Sequence, residues 1–236
     1  MKRVRLGRSG LMVSPLAIGT LTMSPLQKNL PPEHGAEILL YAAEKGVNLF
    51  DTAQYYDTYE PLRLALKQRP DLLVSTKSYA YDRAGAEAAF EEARKALDMD
   101  VIPIFLMHEQ EDRLTLKGHR EAFDFYLEQK AKGKILAVGF STHRVAAVDY
   151  APRYPGVDVV FPLINVTGVG IPDGTRDEMA EAIRIIDGRA ETECSGNMTK
   201  ENIATITKLG VDYVSSGALT HSAPILDLSL KHLRAL

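Results

Sequence analysis

The chain holds a single cysteine, Cys194, among 236 residues. An internal disulfide is therefore excluded, and the expected setting is a reducing cytoplasm or a recombinant preparation. No apolar run approaches the roughly 20 residues that cross a bilayer, so no membrane partner is expected. The basic start MKRVRLGRSG has no apolar stretch behind it, which argues against a signal peptide. Positive charge is not in excess: 28 Lys and Arg face 31 Asp and Glu, a net charge of −3. A surface that tracks nucleic-acid phosphates is therefore not expected. No GxGxxG follows any strand-like segment, which argues against an open dinucleotide-binding sheet. No linker and no low-complexity segment interrupts the chain.

What is present is an ordinary globular composition, 45 % hydrophobic and 25 % charged. A small hairpin is expected over residues 3–14, where a GRSG turn separates RVRL from LMVS. From residue 16 a strand-then-helix alternation begins. Strands are expected at 16–20, 48–51, 72–77, 102–108, 135–141, 157–164, 190–194 and 211–215. Helices are expected at 31–45, 60–68, 84–97, 117–132, 144–150, 176–186, 200–208 and from about 223 onward. In the first helix Ala36, Leu39, Leu40 and Ala43 fall at i, i+3, i+4 and i+7, and Gly46 is a natural stop. Eight short apolar strands, each followed by a helix, predict an α/β fold, a (β/α)8 TIM barrel over residues 1–236 as one domain.

Polar residues end strand after strand: Asp51, Lys77, His108, Ser141, Asn165, Ser195 and Ser216. In a closed barrel these converge on one mouth, where barrel chemistry sits. A lone lysine or histidine there is usually structural, so the weight lies on the set. Asp51, Tyr56, Lys77 and His108 together suit a general-acid site. A tyrosine with a reference pKa of about 10 gives up its proton more readily beside an ammonium. A carboxylate holds that ammonium, and a histidine orients a carbonyl oxygen. The chemistry this suggests is carbonyl reduction with hydride from a cofactor.

GVNLFDTAQYY, LLVSTKS, IFLMHEQ and GKILAVGFSTH, with the opening hairpin and LAIGT, resemble the aldo-keto reductases over about residues 2–187. The resemblance implies Tyr56 as the acid, Asp51 and Lys77 as its tuning pair and His108 as the substrate orienter. It places Gly19, Thr20, Ser141 and Asn165 along NADP(H). Two positions depart from the family pattern: Phe161 stands where a glutamine usually meets the nicotinamide carboxamide, and Thr142 where asparagine is common. Both weaken the expected grip on the cofactor.

Beyond a seam near residue 188 the chain changes character. ECSGN, TKENI and GVDYVSSGALTHSAP resemble the C-terminal end of quinolinate (nicotinate-nucleotide) phosphoribosyltransferase over about residues 189–231. The expected organisation is thus an engineered chimera. Residues 1–187 supply reductase-like units one to six, and residues 188–236 supply transferase-like units seven and eight. The sixth and seventh strands are expected to pair across the seam. The resemblance implies a phosphate or sulfate site on Ser195, Gly196, Asn197, Ser216, Gly217 and Ala218. Glycines there let backbone N–H groups approach an anion, and Thr199 and Ser222 are candidate N-caps. His221 stands equally for a phosphate contact or a loop cap. The arginines, lysines and acidic metal-binding residues that transferase chemistry needs are not recognisable, so no metal site is expected and Cys194 is read as a small strand residue. Three functions remain: a scaffold with little or no turnover, an NADP(H)-dependent reductase, or a module that binds a small anionic ligand. A monomer is favoured over an oligomer.

Overall fold

The structure is a computed structural model that describes residues 1–165, 168–169, 176–188, 193–196 and 203–216. Strands β1 (Val4–Arg5) and β2 (Met12–Val13) form the expected antiparallel hairpin. Asn48 ties it to the body. Its side chain accepts from Ser14 N at 2.6 Å and donates to Met12 O at 3.0 Å.

The alternation follows: β3 (Ala17–Gly19), α1 (Pro32–Glu44), β4 (Leu49–Asp51), α2 (Tyr59–Gln68), β5 (Leu73–Ser78) and α3 (Arg83–Leu97). Then come β6 (Ile102–Met107), α4 (Arg113–Gly118), α5 (Arg120–Ala131), β7 (Ile135–Thr142), α6 (Val145–Tyr150) and β8 (Val159–Pro162). Gly46, at φ 96°, follows the end of α1, in backbone space where an added Cβ would also strike Met1. The single helix expected at 117–132 is two. Asp112 accepts from Leu114 N and Thr115 N, and Thr115 answers with a capping box, so a helix begins at Arg113 and yields to α5 near His119.

Strands β3 to β8 form one parallel sheet in chain order. Side chains alternate along each strand, and this splits the core in two. Phe105, Met107, Val138 and Phe140 join Phe50, Phe90, Phe123 and Tyr126 in the layer under the helices. Ile104, Leu106 and Ala137 point the other way, with Leu49, Val159 and the hairpin residues Leu6 and Leu11 against them. That second cluster is the barrel interior, and the hairpin plugs its amino-terminal end.

The later units are β9 (Ile164–Asn165), β10 (Gly168–Val169), α7 (Arg176–Ile186), β11 (Glu193–Gly196), α8 (Ile203–Thr207) and β12 (Tyr213–Ser216). β11 and β12 are parallel partners. The six-stranded curled sheet is a half-barrel, and with these two further parallel strands the chain has the (β/α)8 TIM-like fold. The expected pairing across the seam takes a different form. β8 ends on Pro162, the Leu163 N–H still donates to Thr142 O at 2.8 Å, and the chain then folds back as the β9–β10 hairpin. Among the described residues no ladder joins β8 to β11; β9 lies beside β11 instead. The helix expected from residue 223 lies outside the described residues. No described helix is long and apolar enough to cross a membrane.

Gly139 marks where β7 and β8 come closest. A Cβ there would sit 1.7 Å from Val159 O, inside the strand partner's backbone. Gly139→Ala should therefore lower unfolding free energy by about 1–3 kcal/mol or more through forced separation of the two strands. Urea unfolding with an unchanged midpoint would show that the junction tolerates the methyl.

Candidate active site

The interior face of the strands continues past the apolar cluster into polar residues. Asp51 lies two residues beyond Leu49 on one face of β4, and Lys77 pairs in register with Leu106. Period two thus delivers an aspartate and a lysine to the carboxyl end of the interior. There Lys77 Nζ donates to Asp51 Oδ2 at 2.5 Å and to Thr52 O at 2.6 Å. Lys77 is only 2 % exposed and Asp51 7 %. Two charges this deep persist because each neutralises the other.

Tyr56 stands in a single 3-10 turn, Gln54–Tyr56, just after β4. The ammonium of Lys77 lies 5.2 Å from the Tyr56 ring centroid and 5.4 Å from that of Phe161, so two rings flank the buried cation. His108 follows β6, with its ring 5.8 Å from Tyr56 at 71°. Asp51, Tyr56, Lys77 and His108 are thus gathered at one mouth.

The tuning differs from the expected direction. The Tyr56 phenol is pushed up to about 12, by burial first and then by the Asp51 and Glu109 carboxylates. The Lys77 ammonium, paired with Asp51, does not reverse that rise. His108 is lowered to about 4, by burial and then by Lys77, so its imidazole is neutral at pH 7. Asp51 Oδ1 and His108 Nδ1 are buried without a hydrogen-bond partner among the described residues.

Of the residues expected along a cofactor, Thr20 and Ser141 are built into the same rim. Thr20 donates to Asp51 O through its N–H (2.9 Å) and hydroxyl (3.1 Å), and its Oγ1 lies 2.7 Å from Thr58 Oγ1. Ser141 Oγ accepts the Glu109 N–H at 2.9 Å. Gly19 pairs with Asp51 in the β3–β4 ladder, and an added Cβ would meet nothing within 4 Å. The backbone of Asn165 lies in β9, paired with Gly168. Thr142 is spent on a local turn, its Oγ1 accepting from Arg144 N at 2.9 Å. Ser195, Gly196 and Ser216 lie in β11 and β12, while Asn197, Gly217, Ala218, Thr199, His221 and Ser222 lie outside the described residues. Among the described residues no group of three or more His, Cys, Asp or Glu could hold a metal ion.

Sequence reading missed an aromatic stack. Tyr79 lies over His108 at 4.3 Å and 27°, and Tyr55 stacks on Tyr79 at 5.6 Å and 19°. The signal was available, since Tyr79 is two residues beyond Lys77 and so on the same side of an extended segment. Phe161, the departure from the family pattern, also places its ring over Lys77.

The sequence of residues 15–220 matches the model of the aldo/keto reductase family. The chain belongs to that family. Solved structures similar to it include a putative aldo-keto reductase from Pseudomonas aeruginosa, with TM-score 0.72 and 22 % identity over 91 % of this chain and 88 % of that one. A Bombyx mori aldo-keto reductase in complex with NADP gives TM-score 0.66 and 14 % identity, over 91 % and 82 %. At these identities the likeness is one of fold. Part of this reductase-family chain is also similar to another group. Quinolinate phosphoribosyltransferase [decarboxylating] 1 of Nicotiana glauca is 42 % identical over 114 residues, 46 % of this chain and 32 % of that protein. A chloroplastic nicotinate-nucleotide pyrophosphorylase [carboxylating] of Arabidopsis thaliana is 53 % identical over 74 residues, 31 % of this chain and 20 % of that protein. The chain spans about a third of the Nicotiana glauca relative's length. Two families meet in one chain, as a chimera of them would have it.

Removing one member of the buried pair leaves the other charge stranded. Asp51→Asn should cost about 3–5 kcal/mol of stability, and adding Lys77→Met should recover most of it. A double variant no more stable than Asp51→Asn alone, measured by denaturant unfolding, would mean that the two side chains are not energetically coupled.

Proposed function

We propose that this protein is an engineered hybrid barrel, with reductase-like units one to six joined to transferase-like units seven and eight. Its retained chemistry is carbonyl reduction with NADP(H), held weakly and turned over slowly. The observation that carries this reading is the buried Asp51–Lys77 pair beneath Tyr56 and His108. Three polar side chains are buried there, Asp51, Lys77 and His108, under a half-buried Tyr56, a grouping that a purely structural barrel does not need.

The rim fits the nicotinamide end of such a cofactor: there is open space beyond Gly19, and Ser141 stands at the same rim. When bound, the cofactor supplies a hydride. The chain's own residues handle the oxygen. His108, neutral at pH 7, can donate a hydrogen bond to a carbonyl oxygen and hold it toward Tyr56. As negative charge gathers on that oxygen, the Tyr56 hydroxyl gives it a proton. A phenol near 12 is a weak acid, yet still a stronger one than an alcohol comparable to water at about 15.7. The transfer therefore runs downhill. Lys77 and Asp51 fix the floor beneath Tyr56, and the ammonium stabilises the phenolate that remains.

Weak cofactor binding is inferred from Phe161, an apolar ring that offers no hydrogen bond to a carboxamide, and from transferase-like sequence in units seven and eight. Losing three charge-assisted contacts of about 1.5–3 kcal/mol each weakens binding by about a thousandfold or more. Transferase activity is not part of the proposal. The single cysteine suits a reducing compartment, and the working unit is proposed to be a monomer.

Tyr56→Phe should lower carbonyl-reducing kcat/KM by about 10²–10⁴-fold at saturating cofactor. An unchanged rate would remove the tetrad from the chemistry. Titration of cofactor fluorescence should show weak binding; saturation near ~1 μM, the tight end of the usual range, would instead describe a fully competent reductase.

One observation favours a second site. In the β11–β12 ladder Gly196 stands opposite Ser216, so the last residues of the two strands that precede the segments expected to cradle an anion lie side by side. Inorganic phosphate at about five times its Kd should then stabilise the fold by about 1 kcal/mol, a rise in Tm of about 2–4 °C. A Tm indifferent to phosphate and sulfate would dismiss this site and leave the reductase reading untouched.

A further inference from the structure

The rim carries a carboxylate that none of these steps uses. Glu109 follows His108 directly and takes a left-handed backbone conformation, φ 50°, which is uncommon for any residue but glycine. It is strapped in that position: its N–H donates to Ser141 Oγ at 2.9 Å, and the next N–H, from Gln110, donates to Ser141 O at 2.8 Å. The carboxylate stands partly exposed at the rim, 3.7 Å from His143 Nε2. Glu111 and Arg144 line the same small groove.

The charge of Glu109 reaches the reacting groups. It helps raise Tyr56 and Tyr79 and offsets part of the lowering of His108. Asp51, the other carboxylate there and the larger of the two influences on Tyr56, is paired at 2.5 Å with Lys77. Glu109 has no cation held so closely: its carboxylate accepts from the neutral Tyr79 hydroxyl and stands 3.7 Å from the half-exposed His143 imidazole. The rim beside Tyr56 is therefore negative, and next to it lies the flat stack of Tyr55, Tyr79 and His108.

We infer that Glu109 and the Tyr55–Tyr79 pair set the substrate class: flat aromatic aldehydes and ketones that are neutral or cationic, with carboxylated ones turned away. The rings supply a stacking face. The carboxylate repels an anionic substituent; for two charges about 6–8 Å apart in partly wet surroundings the repulsion comes to roughly a tenfold discrimination. Glu111, His143 and Arg144 line the groove beside Glu109, and the Arg144 guanidinium counters part of its field. The inference rests on the reductase reading above.

The test uses the full chain with benzaldehyde, 4-carboxybenzaldehyde and a 4-trimethylammonium benzaldehyde. At low ionic strength kcat/KM for the carboxylated compound should fall about tenfold or more below that for benzaldehyde, and salt should narrow the gap. Glu109→Gln should reduce the gap to about threefold or less, and Glu109→Lys should invert the preference between the two charged aldehydes. Circular dichroism and melting establish that both variants fold. The Kd of each aldehyde, read from the ring-proton resonances of His108 and the tyrosines, gives the same ratios without turnover. A ratio unmoved by either substitution overturns the inference even if reduction proceeds. Binding of none of the three overturns it too. If nothing is turned over but the binding preference follows Glu109, the reductase reading fails and the inference stands only for which aldehydes the rim binds.

Discussion

The ion pair between Lys77 and Asp51 is the constraint around which the site is arranged. Each charge lies deep enough that an effective penalty of several kcal/mol attaches to it alone. Their separation of 2.5 Å makes the two together tolerable. The pair also closes the interior layer: below it the strands present leucine, isoleucine and alanine, and above it lies the rim. Tyr56 and Phe161 flank the ammonium with ring faces, which shields it without adding charge.

Burial explains why Tyr56 moves opposite to the simple expectation. An isolated ammonium beside a phenol lowers its pKa, but here the partial burial of the phenol outweighs that pull. Asp51 and Glu109 add to the rise. The result is a tyrosine that stays protonated across the neutral range and beside it a histidine that stays neutral. Both are donors, which is what an oxygen gaining negative charge requires.

Much of this was legible in the residues. Alternating strand and helix patterns placed β3 through β8 and their helices to within a few residues, and the polar strand ends singled out Asp51, Lys77 and His108. What escaped was set by single stereochemical events. Pro162 ends a strand that apolar content alone would carry to Ile164. The Asp112–Thr115 capping box starts a helix four residues ahead of its apolar pattern. Glu109 in a left-handed conformation has no sequence signature, because only the Ser141 strap from the next strand compels it. Tyr79 was readable in principle, since the two-residue period that places Lys77 on the inner face places it there as well.

The hairpin that packs Leu6 and Leu11 against the interior separates the two ends of the molecule by task. Apolar closure rests with the amino-terminal cork, stapled through Asn48, and not with the loops that carry reactive groups. Segments at the opposite rim can then vary without flooding the interior. A cork of this kind makes a barrel modular: one end keeps water out, and the other is free to be rewritten.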